Sequence, residues 1–283
     1  MLQVKDIRKQ YKNFELNCSM EMMEGCITGL IGQNGAGKST MFKAILNLIH
    51  LDGGEIMLFG KEHRNLTNRD REKIGVVLSD STFPEVMTPR EIASVLDELY
   101  EKFDKNDFCR RCEEKKIPLE KPLKEFSTGM KAKLKVLTAL SHQSQFLILD
   151  EPTSGLDVVA RGEVLDLLRE YMEEQEDHSI LISSHISSDL EGLCDDVYMI
   201  HQGKIILHEE TDTILSNYGL LKVDEKQYQT LEKRYVLRVK KEPFGYQCLT
   251  NERQFYMENY PGIVAEKGTI DQVIEMMIQG EEK

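Results

Sequence analysis

Apolar residues along the chain recur with two periods, alternation in short stretches and helical spacing in longer ones. Val4, Ile7 and Phe14 alternate with polar residues around Tyr11, which predicts a strand, a turn and a second strand toward Leu16. Cys26-Ile27-Thr28-Gly29-Leu30-Ile31 reads as a buried strand, and Met41, Phe42, Ile45, Leu46 and Ile49 then fall on a helical stripe. Residues 53–60 form a glycine-bounded strand, residues 61–73 a charged, solvated loop and helix start, and residues 74–78 another buried strand. Thr88-Pro89-Arg90-Glu91 has the form of a capped helix start, and one helix is expected from Glu91 to about Lys116, with Ile92, Val95, Leu96 and Leu99 on one face. A further helix opens at Phe126-Ser127-Thr128-Gly129-Met130 and carries Leu134, Leu137 and Leu140 inward. Two apolar strands follow, Phe146-Leu147-Ile148-Leu149 running into Asp150-Glu151, and Ile180-Leu181-Ile182-Ser183-Ser184 running into His185. Strands interleaved with helices in this way predict an α/β domain.

The most informative stretch lies between the first buried strand and its helix. Gly32-Gln33-Asn34-Gly35-Ala36-Gly37-Lys38-Ser39-Thr40 fits G-x-x-x-x-G-K-[ST] at every fixed position, in the strand–loop–helix setting that gives the pattern its mechanism. Glycines let successive N–H groups turn inward on phosphate oxygens at the positive end of a helix. Lys38 adds a full charge against the outer phosphates, and Ser39 offers a hydroxyl to Mg²⁺. An apolar strand ending in Asp150-Glu151, far downstream, suits a metal-organising carboxylate followed by a second acid. A strand-end histidine such as His185 is, taken alone, as readily a half-exposed core residue. Tyr11 is either a turn aromatic or a flat surface for adenine.

Composition narrows the class. The 283 residues suffice for one large α/β domain with a small appendage. A formal net charge of -13 gives no general pull toward nucleic acid. The sequence shows no apolar stretch of membrane-spanning length and no signal-peptide pattern at its start, so a cytoplasmic location is expected. Six scattered cysteines fit that compartment; Cys109 and Cys112 have C-x-x-C spacing but lack further ligands, and read as helical neighbours.

In order and spacing, these stretches resemble the nucleotide-binding subunit of an ATP-binding cassette (ABC) transporter, over roughly residues 1–215. The resemblance covers the Walker A loop at 32–40, a signature motif at 126–130, Walker B at 146–151, the D-loop at 154–157, the switch histidine His185, and a closing hairpin at 195–206 turning at Gln202-Gly203. It implies a P-loop NTPase core with a mixed central sheet, an N-terminal antiparallel β subdomain and a helical signature subdomain at about 80–128. Residues 216–283, outside the ATPase core, are expected to form a small α+β appendage with a strand near Tyr235 and a helix bearing Ile270, Val273, Ile274 and Met277.

The family's roles transfer by position. Gly32, Asn34, Gly35, Gly37, Lys38, Ser39 and Thr40 would hold ATP and Mg²⁺, with Ser39 and Asp150 on the metal and Tyr11 stacked on adenine. Glu151 would act as general base and His185 would hold the γ-phosphate. Ser127 and Gly129 would complete the site of a second nucleotide-binding subunit, in a homodimer or a heterodimer. Two departures stand out: Phe126, Thr128 and Met130 replace three residues of the usual Leu-Ser-Gly-Gly-Gln, and Ser79-Asp80 stands where the family carries a glutamine. Because serine is short, either a water bridges Ser79 to Mg²⁺ or Asp80 takes over the contact with a charged oxygen, and Asp80 is the expected substitute. Phe83, Pro84, Val86 and Met87 form a candidate contact for a membrane partner. The resemblance implies an ATPase of the exporter (ABC-2) type, working on a separately encoded integral membrane permease, peripheral on the inner face of the membrane, with no nucleic acid bound. The alternative is a soluble cassette ATPase acting on ribosomes or DNA, which usually carries two cassettes or a long coiled coil; neither is in the sequence. A P-loop kinase or switch GTPase leaves residues 126–130 and His185 unexplained.

Overall fold

The structure is a computed structural model that describes residues 1–281. Alternation is obeyed from the start. In the hairpin of β1 (Leu2–Tyr11) and β2 (Phe14–Met22), Leu2, Val4 and Ile7 face inward opposite Leu16, Cys18, Met20 and Met22. After β3 (Ile27–Ile31) and α1 (Lys38–Ile45), β4 (Gly53–Leu58) and the two-residue β5 (Lys61–Glu62) return beside β1, giving an antiparallel sheet of order β2-β1-β4-β5. The single turn α2 (Asn68–Arg71), capped by Thr67 and Asp70, leads into β6 (Ile74–Val77).

The stretch expected to be one helix from Glu91 to Lys116 is two, α3 (Pro89–Leu99) and α4 (Lys105–Glu114). Helical periodicity runs through the break, but tertiary packing interrupts it. Tyr100 turns extended (φ -120°, ψ 118°) and stacks on His142 at 4.2 Å, and Phe103 is buried in the core. Asp104 then restarts a helix by accepting the N–H groups of Asn106 and Asp107 at 2.9 and 3.0 Å. Cys109 and Cys112 both lie on α4 as free thiols.

Next come α5 (Thr128–Leu140), β7 (Phe146–Asp150), α6 (Val158–Glu174), β8 (Ser179–Ser184), α7 (Ser187–Glu191), β9 (Asp196–His201) and β10 (Lys204–Glu210). The central sheet has the order β10-β9-β3-β8-β7-β6, parallel throughout except where β10 pairs antiparallel with β9. Every residue of β3, β7 and β8 is buried, as expected of parallel strands covered on both faces. Gly75 on β6 has a steric reason: a Cβ there would come within 2.3 Å of the Ala139 carbonyl oxygen, so α5 seats directly on the strand.

Register places the functional ends together. Ile31, the last residue of β3, pairs with Ser184, the last of β8, and Asp150, the last of β7, pairs with Ser183. The segments that leave these three strands therefore emerge at one edge, the carboxyl edge where open α/β sheets bind ligands.

After α8 (Thr211–Asn217), the strands β11 (Gly219–Val223), β12 (Val236–Glu242), β13 (Gly245–Thr250) and β14 (Val264–Lys267) make a third, antiparallel sheet of order β12-β13-β11-β14. It is joined by α9 (Glu225–Thr230), α10 (Arg253–Asn259) and α11 (Ile270–Gln279). Ile270, Val273 and Met276 of α11 are buried in the same core cluster as Leu190 of α7, and the Ile270 N–H donates to Glu191 at 3.1 Å.

Candidate nucleotide site

The loop from Ile31 to α1 is held by glycine conformations. Gly35 and Gly37 have φ of 81° and 118°, in the left-handed region closed to most side chains, and Gly37 is the N-cap of α1. These conformations seat the loop at the positive end of an eight-residue helix whose first turn carries no acid, the setting in which loop N–H groups receive an anion. Lys38, at 6% side-chain exposure, folds back over the loop. Its Nζ donates to the Gly32 carbonyl at 2.6 Å and to that of Gln33 at 3.4 Å, and pairs with Glu151 Oε1 at 3.1 Å.

At the end of β7, Asp150 is buried and accepts hydroxyl hydrogen bonds on both oxygens, from Ser183 at 2.7 Å and Ser79 at 2.9 Å. Glu151 takes φ 54°, a conformation that costs a non-glycine residue about 1 kcal/mol or more. Its N–H is held by the Ser183 hydroxyl at 3.0 Å, and its carboxylate bridges Lys38 and the Nδ1 of His185. The twist out of the strand is what swings Glu151 from the sheet's interior into the cleft between these two bases.

Beyond Glu151, Thr153 donates its hydroxyl to the buried Asp189 of α7 at 2.6 Å, and Asp189 also pairs with Arg161 of α6 at 3.3 Å. This ties the segment after Walker B to the helix that follows His185. None of the three was singled out in the sequence, because an acid two helices away has no spacing that announces its partner.

A cavity of about 670 Å³ collects these groups. Gln33, Asn34, Gly35, Gly37, Lys38, Ser39 and Thr40 line it with Ser79, Asp150, Glu151 and His185. Five expected residues, Tyr11, Gly32, Asp80, Ser127 and Gly129, do not line it. Tyr11, at 41% exposure, lies beside Phe14 with ring centroids 6.2 Å apart, and it is the Phe14 ring that lines the cavity. Ser127 caps α5 by accepting the Met130 N–H at 3.2 Å, and Gly129 lies against Ala160; both are outside the cavity within one chain. Asp80 is turned outward onto Lys43 at 2.7 Å, which lowers the Asp80 carboxyl below its usual range. Asp80 thus faces Lys43 rather than the cavity, whereas Ser79 lines the cavity and donates its hydroxyl to Asp150 at 2.9 Å. Gly32 sits at the loop's base, where its carbonyl holds Lys38.

Comparison with known proteins agrees with this geometry. Residues 16–154 match the family model described as ABC transporter. The chain is 32% identical over 224 residues to the lantibiotic transport ATP-binding protein SrtF of Streptococcus pyogenes, covering 75% of this chain and 92% of that protein. It is 32% identical over 210 residues to the bacitracin transport ATP-binding protein BcrA of Bacillus licheniformis, covering 73% of this chain and 68% of the relative. The ABC transporter ATP-binding protein YtrB of Bacillus subtilis is 32% identical over 203 residues, 71% of this chain and 68% of its own. Among solved structures, an ATP-binding subunit of an ABC transporter superposes with a TM-score of 0.67 at 27% identity, over 76% of this chain and 91% of the other. An ATP-binding cassette in a dimeric post-hydrolysis state shares the fold, with a TM-score of 0.66 at 20% identity, over 75% of this chain and 99% of the other. The sequence motifs, the strand register that joins them and these relatives agree that the chain belongs to the ABC transporter family, as one of its ATP-binding, ATP-hydrolysing subunits.

Proposed function

We propose that the chain hydrolyses MgATP to drive export through a separately encoded membrane permease, as a peripheral protein on the cytoplasmic face. The observation that carries the ATP part is the pairing of Ile31 with Ser184 and of Asp150 with Ser183, which supports Lys38, Glu151 and His185 acting on one phosphate group. Among the described residues no helix is long and apolar enough to cross a membrane. Export in particular rests on relatives whose names give lantibiotic and bacitracin transport.

The donor set fits Mg²⁺. The described residues contain no cluster of three or more His, Cys, Asp or Glu that could hold a metal. Mg²⁺ bound with a nucleotide, however, keeps waters and phosphate oxygens and needs only one or two protein groups, here Ser39 and Asp150. When bound, the ion neutralises charge on the outer phosphate oxygens. The loop N–H groups and Lys38 hold those oxygens, and Lys38 exchanges its Glu151 contact for them. Glu151, so released, accepts the proton of the attacking water, and His185 donates to the γ-phosphate. Tyr11 stacks on adenine beside Phe14, and Ser127 and Gly129 face the ATP of a second subunit. Residues 1–215 form the ATPase unit in this reading and residues 216–283 an appendage, whose helix α11 packs against α7.

Ser79 carries the glutamine's task through Asp150. Ser79→Ala is expected to slow turnover about tenfold, equivalent to about 1.4 kcal/mol of barrier, because Asp150 Oδ2 loses its 2.9 Å donor and is no longer oriented. Asp80→Ala, which breaks only an exposed ion pair with Lys43, is expected to change turnover less than about twofold. Rates at saturating MgATP check the ranking; the opposite order returns the role to Asp80.

The permease contact is assigned to the loop at Phe83, Pro84, Val86 and Met87. Phe83 and Met87 pack against the core, while Val86 is 74% exposed and available to a partner. Val86→Glu is expected to abolish copurification with the membrane chain from detergent extracts while leaving fold and MgATP binding unchanged. Undiminished copurification, or no membrane chain recovered with the unmodified protein, contradicts the permease reading.

A further inference from the structure

The cavity's second wall belongs to α5, which contributes Lys131 and Lys135. Residues four apart on a helix share a face, and like charges so placed repel. The cavity is thus lined by three lysines, and their partners differ. Lys38 pairs with Glu151 at 3.1 Å, and Lys131 with Glu85 at 2.9 Å. Lys135 is half-buried, and among the described residues it has no carboxylate within 4.0 Å and no hydrogen-bond partner. Burial first, and then the Lys131 charge, lower its pKa below the ordinary lysine value. A partly desolvated ammonium beside a like charge is less favourable than one free in water, and an arriving anion relieves both costs.

We propose that Lys135 is a phosphoryl-binding residue of this cavity, holding an oxyanion that is either the γ-phosphate of bound ATP or the orthophosphate formed from it. The proposal rests on the reading of the cavity as the ATP site. Chemistry selects this class of ligand. The same cavity is lined by the phosphate loop and Lys38, and of the α5 lysines that line it only Lys135 has a positive charge not already engaged by a carboxylate.

Lys135→Met keeps the apolar stem and removes the charge. Two arms separate the sources. Equilibrium titrations with MgATP and MgADP, in a Glu151→Gln background that prevents turnover, read the γ-phosphate; inhibition of steady-state turnover by added orthophosphate, with Glu151 intact, reads the product. If Lys135 holds the γ-phosphate, MgATP affinity falls about tenfold while MgADP affinity is unchanged, as expected for loss of one charged hydrogen bond. If it holds the product, the orthophosphate concentration needed for half-inhibition rises about tenfold while MgATP affinity is unchanged. In either case Lys135→Arg restores the lost affinity. Unchanged values in both arms, or equal weakening of MgATP and MgADP, overturn the proposal. A Lys38→Ala protein assayed in parallel keeps the two readings apart: normal MgATP affinity there means that the cavity itself has been misassigned.

Discussion

Lys38→Ala is expected to weaken MgATP binding by at least about a hundredfold and to remove turnover. The lysine ammonium is buried at 6% exposure against the loop it serves, 2.6 Å from the Gly32 carbonyl. Charged hydrogen bonds in such settings are worth about 1.5–3 kcal/mol each, and a triphosphate offers Lys38 oxygens on two phosphates. Losing both contacts amounts to about 3 kcal/mol or more. The substitution also strips Glu151 of its cation, leaving His185 as its partner. The fold is expected to persist, because the sheet and α1 are held by apolar packing of Met41, Phe42 and Ile45 rather than by the lysine. Titration with a fluorescent ATP analogue, with circular dichroism as a control on folding, checks the result. Unchanged affinity together with unchanged turnover places the phosphate site elsewhere.

Glu151→Gln is the second large effect, and its signature is opposite. Glutamine keeps the size and hydrogen-bonding reach of the side chain but cannot accept the water's proton as a carboxylate does. Loss of a general base costs roughly 10²–10⁴ in rate. Binding should survive or tighten, because Lys38 no longer has to leave a carboxylate in order to meet phosphate. If hydrolysis opens the two-subunit sandwich, the variant accumulates as a dimer with MgATP, and light scattering on a sizing column measures its mass. A species that stays monomeric with ATP bound refutes the sandwich while leaving the catalytic role of Glu151 to be judged by rate.

Much of this site was legible because its residues stand where sequence patterns change. Gly32 to Thr40 sits between a strand pattern and a helix pattern, and Asp150, Glu151 and His185 each terminate or follow an apolar run. A residue at the end of a buried strand has few places to go, so its position follows from the strand. Side-chain choice at loop positions is different. Asp80 has the better ligand chemistry, but the nearby Lys43 captures it, and no spacing connects residues 43 and 80. The break between α3 and α4 escaped for a similar reason: the stacking of Tyr100 on His142 is a contact between residues far apart in the chain. The link from Thr153 through Asp189 to Arg161 joins three elements and is likewise visible only once they are packed. In the C-terminal region the stripe of Ile270, Val273, Ile274 and Met277 did yield the helix, with Met276 buried beside it, but the surface it meets on α7 could not be read from the stripe.

The most direct test of the chain as an ATP-hydrolysing subunit is steady-state release of orthophosphate from ATP by the purified protein, with Mg²⁺ or with excess chelator, beside a Glu151→Gln protein prepared identically. Release that requires Mg²⁺ and falls at least about a hundredfold in the variant is the expected result. Equal rates for the two proteins, or release that persists undiminished in chelator, would contradict it.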